Sequence, residues 1–307
     1  MKAIYFETHG GPDVLRYGEL PDPAPGQSEI LVDIHAASVN SADGKVRSGT
    51  NGALTKFPHI LGRDFSGVVS ATPYGETDFK VGDAVFGVCD VGREGAYAEK
   101  IAIEPTLLER KPDGLRHVEA AALAATGLTA LISIEDTLQL RHGEKILIQG
   151  GAGGVASFAI QLSKYIGAHV VTTASAANHE YVRDLGADEV VDYNELDFED
   201  AVSNCDAVFD TVGDDVARRS FRVLKAGGRA AFIASGGTAP ATPRADIRSL
   251  RPSVERDRPH LARIVELVAA GAIRVPEISE FALRDAAAAH AISDSRHLRG
   301  KLVLNIS

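Results

Sequence analysis

The sequence predicts an α/β protein: a small β-barrel joined to a doubly wound parallel sheet. Three observations carry this. Short apolar runs broken by Gly and Pro fill the first third of the chain. From Lys145 onward, strand-like and helix-like segments alternate. At the head of that alternation, a glycine-rich turn separates an apolar run from an amphipathic helix.

The runs Lys2–Phe6, Val14–Glu19 and Ile30–Ala36 are separated by Gly11-Pro12 and by Pro21, Pro23, Pro25 and Gly26. Phe65–Ser70, Asp83–Val88 and Tyr97–Ile103 continue the pattern. Short strands with Gly/Pro turns predict a barrel, closed so that no sheet edge is left open. Pro112, Asp113 and Gly114 then break the chain, and Val118–Ile134, rich in Ala and Leu, reads as helix. Strands are expected to start near Lys145, His169, Glu189, Asp206 and Arg229, with helices between, which implies a parallel sheet with crossovers of one hand. The stretch Thr238–Pro259 (238–259) is rich in Pro, Arg and Ser and takes no assignment. A helix at about His260–Ala270, a small one near Asp285–Ala291 and a strand Leu302–Ile306 close the chain. The expected domains are 1–112, 113–250 and a return to the first over 251–307, so that the middle domain is an insertion.

The central turn lies within Lys145–Val171. Ile146, Leu147 and Ile148 lead into Gly150-Gly151-Ala152-Gly153-Gly154, and Val155, Ala159, Leu162 and Ile166 then fall on one helix face. The run Gly151-Ala152-Gly153-Gly154-Val155-Ala156 matches the G-x-G-x-x-G/A dinucleotide pattern, in which glycines admit a pyrophosphate close to the backbone and helix N-terminal N–H groups face its charge. A plain tight turn between strand and helix would use the same residues; the flanking strand and helix favour the nucleotide reading.

Composition excludes other classes. A chain of 307 residues with 45% hydrophobic residues can bury substantial cores. A net charge of −10 argues against nucleic acid or an anionic membrane as partner. Cys89 and Cys205 stand far apart with no metal-like spacing, and with no leader or long charge-free apolar run the expectation is a reduced, cytoplasmic protein.

Several motifs in order resemble the zinc-free medium-chain dehydrogenase/reductases, specifically the quinone oxidoreductase (zeta-crystallin-like) group. They include Ser38-Val39-Asn40-Ser41-Ala42-Asp43, Leu61-Gly62-Arg63-Asp64-Phe65-Ser66-Gly67, Val81-Gly82-Asp83-Ala84-Val85-Phe86-Gly87 and Gly95-Ala96-Tyr97-Ala98-Glu99. Ala125-Thr126-Gly127, Leu185-Gly186-Ala187-Asp188, Phe209-Asp210-Thr211-Val212-Gly213 and Gly300-Lys301-Leu302-Val303-Leu304 extend the likeness across nearly the whole chain. The resemblance implies a GroES-like barrel and a Rossmann domain, NADPH as reductant, a quinone or conjugated enone as acceptor, and a homodimer. It also implies contacts of Thr126 with the nicotinamide ribose or amide, of Tyr193 and Gly213 with the adenosine half, of Ala234, Ser235 and Gly236 along the nicotinamide, and of Lys301 near the cofactor. A surface lysine at a strand start accounts for Lys301 equally well. Ala71–Asp78 and the arginine-rich stretch after Gly237 depart from the group's pattern.

Where zinc-dependent relatives place a thiolate and an imidazole, this chain has Asn40 and Arg63, and a guanidinium is not a metal ligand at neutral pH. No zinc is therefore expected. Asn40 is the candidate catalytic residue, its amide offering donors and an acceptor to align substrate or nicotinamide ribose; satisfying a turn is the alternative. Asp43 and Lys45 read as a charged pair on a solvated loop. The segment Thr172–Asn178 has no acid before Glu180 to repel a 2′-phosphate. Thr173, Ser175 and Asn178 are candidate donors to that phosphate, with charge from His179 or Arg183, which favours NADP(H); otherwise they end a strand and cap a helix. No tyrosine has an assignable role as proton donor; water serves. The function expected is reduction of a quinone or enone by NADPH; the alternative is an NADPH-binding sensor or interaction protein without turnover.

Overall fold

The computed structural model describes residues 1–50, 52, 54 and 56–306. The chain divides into two compact units: Met1–Ala125 with Arg256–Ala269 and Val275–Ser307, and Thr126–Glu255 with Ala270–Arg274. The sequence reading placed these divisions after 112 and 250. Helix α2 (His117–Leu131), drawn in the sequence as starting the second domain, carries the first division within it.

The first unit opens with β1 (Lys2–Phe6), β2 (Arg16–Glu19), β3 (Ile30–Val39), helix α1 (Ser41–Ser48), β4 (His59–Ile60), β5 (Asp64–Ala71), β6 (Ala84–Val88), β7 (Lys100–Ile103) and β8 (Leu108–Arg110). The expected strand Val14–Glu19 begins only at Arg16, because Pro12–Val14 forms a 3₁₀ turn whose first position suits proline. Strand β3 alternates buried and half-buried residues until its last four, which are all buried. That change marks where it enters the interior.

The second unit holds β9 (Lys145–Gln149), α3 (Gly154–Ile166), β10 (His169–Thr173), α4 (His179–Asp184), β11 (Glu189–Val191), α5 (Phe198–Ala201), β12 (Cys205–Asp210), α6 (Asp214–Arg219), β13 (Leu224–Phe232) and β14 (Arg248–Leu250). These strands form a six-stranded sheet in the order β11-β10-β9-β12-β13-β14, and every pairing is parallel. Ile146, Leu147 and Ile148 are wholly buried, as a central parallel strand covered on both faces requires. The order reverses between β9 and β12, the switch point beyond whose carboxyl ends ligands of such sheets bind. Helix α3 buries Phe158, Ala159 and Leu162 and stops at Gly167, whose φ of 90° makes the left-handed cap that glycine permits.

The chain ends with α7 (Arg258–Ala269), β15 (Ile278–Ala282), α8 (Ala286–Asp294) and β16 (Lys301–Asn305). Strand β16 adds antiparallel to β3 and parallel to β15, completing a seven-stranded sheet of order β15-β16-β3-β5-β6-β8 with β7 also on β3. The interior of this unit centres on Phe6, Phe65, Tyr97, Leu61 and Leu304. The stretch His117–Thr137 is long and apolar enough to cross a membrane by composition alone, but 78% of its most apolar part is buried in the protein, as in a core helix.

Gly300 sets the entry to β16 with φ of 70°, and a Cβ there would lie 1.9 Å from the Glu277 carbonyl oxygen. Gly300→Ala is expected to cost on the order of 2–4 kcal/mol, read as a lower urea midpoint with unchanged slope; wild-type stability would contradict this account of the strand's entry.

Candidate active site

Strand register builds the polar centre of the first unit. Pairing of Ala37 with Phe65 sets Ser38 beside Asp64, and pairing of Val39 with Leu302 sets Asn40 beside Lys301. Asn40 Nδ2 donates to Asp64 Oδ1 at 2.7 Å, and Asn40 Oδ1 accepts from Lys301 Nζ at 2.9 Å. Lys301 also donates to the Val39 carbonyl oxygen at 3.0 Å, while Asp64 Oδ2 accepts from Ser38 Oγ at 2.7 Å and from the Ala125 N–H at 3.1 Å. Both faces of the Asn40 amide are thereby fixed, since only nitrogen can donate to a carboxylate and only oxygen can accept from an ammonium. Lys301 is buried, which excludes the surface-lysine reading.

Asp43 is wholly buried, which overturns its reading as part of a solvated loop pair: α1 turns it inward from the third helical position. Its Oδ2 accepts from the Asn40 N–H and from the Tyr97 hydroxyl, each at 2.9 Å. Arg63 Nε lies 3.4 Å from Asp43 Oδ1, and Arg63 NH2 lies 3.4 Å from Glu94 Oε1. Burial raises the pKa of Asp43 against the pull of Arg63, raises that of Asp64 against Lys301, and lowers that of Lys301 against both acids. The Tyr97 hydroxyl, to which the sequence assigned no role, joins this network.

In the second unit, Gly150 has φ of 75°, and its N–H donates to Thr173 Oγ1 at 3.0 Å. The Gly151 N–H donates to the Thr173 carbonyl oxygen at 2.9 Å, and a Cβ on Gly151 would stand 2.3 Å from Thr172 Oγ1. The turn is thus pressed against β10, and Gly153 caps α3, whose first-turn N–H groups have no partner within the helix. Thr173 is not the phosphate donor that the sequence suggests. It is buried and donates its one hydroxyl proton to Gln149 Oε1 at 2.8 Å, so it holds the turn and has no proton to give a phosphate. Asn178 stands at the start of α4, but its Nδ2 donates to Ser175 Oγ at 3.1 Å, which pairs these two half-buried residues at the tip of β10.

Across the switch point, Thr211 Oγ1 donates to the Gln149 carbonyl oxygen at 2.8 Å. Gly213, with φ of 87°, donates to both oxygens of the buried Asp210, and a Cβ there would meet the Ala234 carbonyl oxygen at 2.9 Å. Ala234 and Ser235 are half-buried, Gly236 and Tyr193 are exposed, Val155 is half-buried at the start of α3, and Thr126 is buried in α2. Sequence reasoning missed Gln149, Asp64 and Asp210 as organisers of these turns. A polar residue ending an apolar strand was the available signal in Gln149 and Asp210. Among the described residues, no group of three or more His, Cys, Asp or Glu is placed to hold a metal.

A parallel sheet in this order, with a glycine turn at its switch point, in a chain whose other unit carries a buried polar centre, defines a nucleotide-dependent dehydrogenase/reductase class. Family models agree: alcohol dehydrogenase GroES-like domain matches residues 26–113, and zinc-binding dehydrogenase matches residues 185–304. A quinone oxidoreductase of Pseudomonas aeruginosa is 32% identical over 99% of both chains. An NADPH-dependent alkenal/one oxidoreductase of Arabidopsis thaliana is 34% identical over 78% of this chain and 64% of the relative. The quinone oxidoreductase of Coxiella burnetii superposes with TM-score 0.94 at 34% identity, covering 100% of this chain and 99% of the other. That of Escherichia coli, solved with NADPH, superposes with TM-score 0.90 at 28% identity over 100% of both. The chain belongs to the quinone oxidoreductase group of the medium-chain dehydrogenase/reductases, with a GroES-like domain and a Rossmann domain.

Burial pushes Asp210 up to about 6, against the opposing hydrogen bonds from Val212 and Gly213. A raised carboxylate pKa favours the fold below the unfolded value near 4 and withdraws that support as pH climbs through about 6. Relative to Asp210→Asn, the wild type is expected to lose about 3 kcal/mol between these limits; parallel stability profiles of the two proteins would contradict it.

Proposed function

We propose that this protein is an NADPH-dependent oxidoreductase that reduces a quinone or the conjugated double bond of an enone without zinc. The observation that carries the reading is the glycine turn of Gly150–Gly154 at the switch point of a sheet ordered for dinucleotide binding. The residues fit the group. Ala152, Gly154 and Val155 offer backbone N–H groups at a helix N-terminus to a pyrophosphate, while Gly151 and Gly153, whose own N–H groups go to the Thr173 and Gly150 carbonyl oxygens, leave the turn without side chains so that the phosphate can come close. Ser175 and Asn178 lie at the tip of β10 for a 2′-phosphate, and no acid intervenes before Glu180. Tyr193 and Gly213 serve the adenosine half, and Thr126, Ala234, Ser235 and Gly236 the nicotinamide half.

When bound, the nicotinamide supplies a hydride. On an enone that hydride would go to the β-carbon, leaving negative charge on the carbonyl oxygen that a proton from water would balance. Asn40 aligns the acceptor with its second amide N–H, which reaches only the Ser38 carbonyl oxygen at 3.4 Å, while Asp64 and Lys301 hold the amide so that it need not reorganise as charge develops. Ligand chemistry supports zinc independence. Asn40 is committed to Asp64 and Lys301, Arg63 is a guanidinium, and Cys89 is buried with its thiol pKa pushed above the usual range. Free buried cysteines support a reducing, cytoplasmic location, and the net charge of −10 supports neither nucleic acid nor an anionic membrane as partner. A homodimer completes the proposal, tested by light scattering.

Gly153 has φ of −74°, and an added Cβ would meet only the Gly150 carbonyl oxygen, at 3.4 Å, so an aspartate fits there. Gly153→Asp is therefore expected to weaken NADPH binding on the order of 100-fold while the protein stays folded; unchanged affinity by calorimetry would remove the turn from the site. Asn40→Ala should lower kcat by about 100-fold toward benzoquinone, phenanthrenequinone or an aliphatic enone, with NADPH affinity retained. Equal kinetics would return Asn40 to a turn residue. Chelator should leave turnover intact, and a loss restored by zinc would overturn the metal-free reading.

A further inference from the structure

The Asp43 carboxylate that grips the Asn40 backbone is itself held from α8. Arg47 on α1 is buried, and its NH1 lies 2.6 Å from His290 Nδ1. A guanidinium only donates, so Nδ1 accepts and the ring proton sits on Nε2. Burial, then the charge of Arg47, against the counter-pull of Asp294, lowers the His290 pKa to about 4, so the ring is neutral near pH 7. Nε2 lies 3.3 Å from the Tyr97 hydroxyl oxygen and donates to it, and that hydroxyl donates in turn to Asp43 Oδ2 at 2.9 Å. The same oxygen accepts the Asn40 N–H at 2.9 Å.

Each bond therefore has one permitted direction, set at one end by Arg47, which cannot accept, and at the other by the Asp43 carboxylate, which cannot donate. Arg47 is anchored in turn: NH2 donates to Asp294 Oδ2 at 2.6 Å and Nε to the Gly10 carbonyl oxygen at 3.1 Å. Gly44 makes room for this anchor, since a Cβ there would stand 2.8 Å from Asp294 Oδ1.

We propose that Tyr97 and His290 are positioning residues for the reductase reaction, holding Asn40 in register through Asp43 by a one-way chain of hydrogen bonds that starts at Arg47. The proposal rests on Asn40 as the residue that aligns the acceptor. Asn40 is gripped twice, at its side chain by Asp64 and Lys301 and at its backbone by this chain, and the second grip sets where the amide stands. Removing the Tyr97 hydroxyl leaves Asp43 with one donor fewer on Oδ2 and lets the start of α1 shift, which costs alignment of the acceptor but no contact with the dinucleotide.

The test measures kcat, NADPH affinity and thermal stability for Tyr97→Phe, His290→Gln and His290→Phe, with Tyr97→Phe repeated in an Asn40→Ala background. Tyr97→Phe is expected to lower kcat about tenfold with NADPH affinity unchanged. His290→Gln should keep at least half of wild-type kcat, because its amide oxygen can accept from Arg47 and its nitrogen can donate to Tyr97, whereas His290→Phe should fall like Tyr97→Phe. In Asn40→Ala, Tyr97→Phe should have no further effect, the coupling expected of residues acting through one another. Wild-type kcat in folded Tyr97→Phe, or a full tenfold loss added on top of Asn40→Ala, would overturn the proposal. If Asn40→Ala itself turns over like wild type, the alignment reading of Asn40 fails and this proposal with it. Nitrogen NMR of His290 in the wild-type protein reads the chain without a variant: a neutral ring with its proton on Nε2 supports it, and a proton on Nδ1 overturns it.

Discussion

The buried contact among Lys301, Asn40 and Asp64 constrains the whole first unit. Lys301 enters from the last strand, Asp64 from the start of β5, and Asn40 from the end of β3, so three distant parts of the chain must be in register before any of them is satisfied. A slip of one residue in β16 would turn Lys301 to the opposite face and leave the buried Asp64 without the cation that offsets its charge. Charge burial is costly unless it is paired and hydrogen-bonded, and here the neutral Asn40 amide lies between opposite charges, one on each of its polar atoms. A side chain so held is preorganised, and it leaves the interior with little freedom for its carbonyl or its nitrogen to turn.

The second unit applies the same economy to backbone. Gln149, at the end of the central strand, accepts from Thr173 and from Thr211 and donates to Ser220 at 3.1 Å, tying the ends of β9, β10 and β12 together. The glycine turn hangs from this node by two N–H bonds to Thr173. Phosphate recognition at a helix N-terminus needs backbone N–H groups held in place, and here side chains below the turn supply that rigidity. Gly150 and Gly213, both at the switch point, take positive φ, which glycine adopts without a steric penalty.

Features carried by local pattern were readable in the sequence. The apolar run, glycine turn and amphipathic face of α3 announced the nucleotide-binding unit, and each of the strands starting at Lys145, His169, Glu189 and Cys205 lies within a residue of its expected start. Arg229 instead falls inside β13, which begins at Leu224 and runs through Gly227 and Gly228, residues that read as a turn. Strand β14 was hidden because Arg248–Leu250 is three residues long and flanked by the Pro- and Arg-rich stretch; only its pairing with β13 makes it a strand. Long-range partners were equally invisible. Asp43 looks solvated in Ser-Ala-Asp-Gly-Lys, and its burial depends on Tyr97, 54 residues away. Thr173 looked like a donor to a 2′-phosphate because it lies in the acid-free strand end Thr172–Asn178 beyond the glycines, and the fold spends its hydroxyl on Gln149 instead.

The account is tested most directly by a crystal structure of the protein with NADPH. It predicts the pyrophosphate against the turn Gly151–Val155, on the N–H groups of Ala152, Gly154 and Val155, the 2′-phosphate near Ser175 and Asn178, and the Asn40 amide still shared by Asp64 and Lys301. A dinucleotide bound away from that turn, or an Asn40 side chain released from both partners, would contradict it.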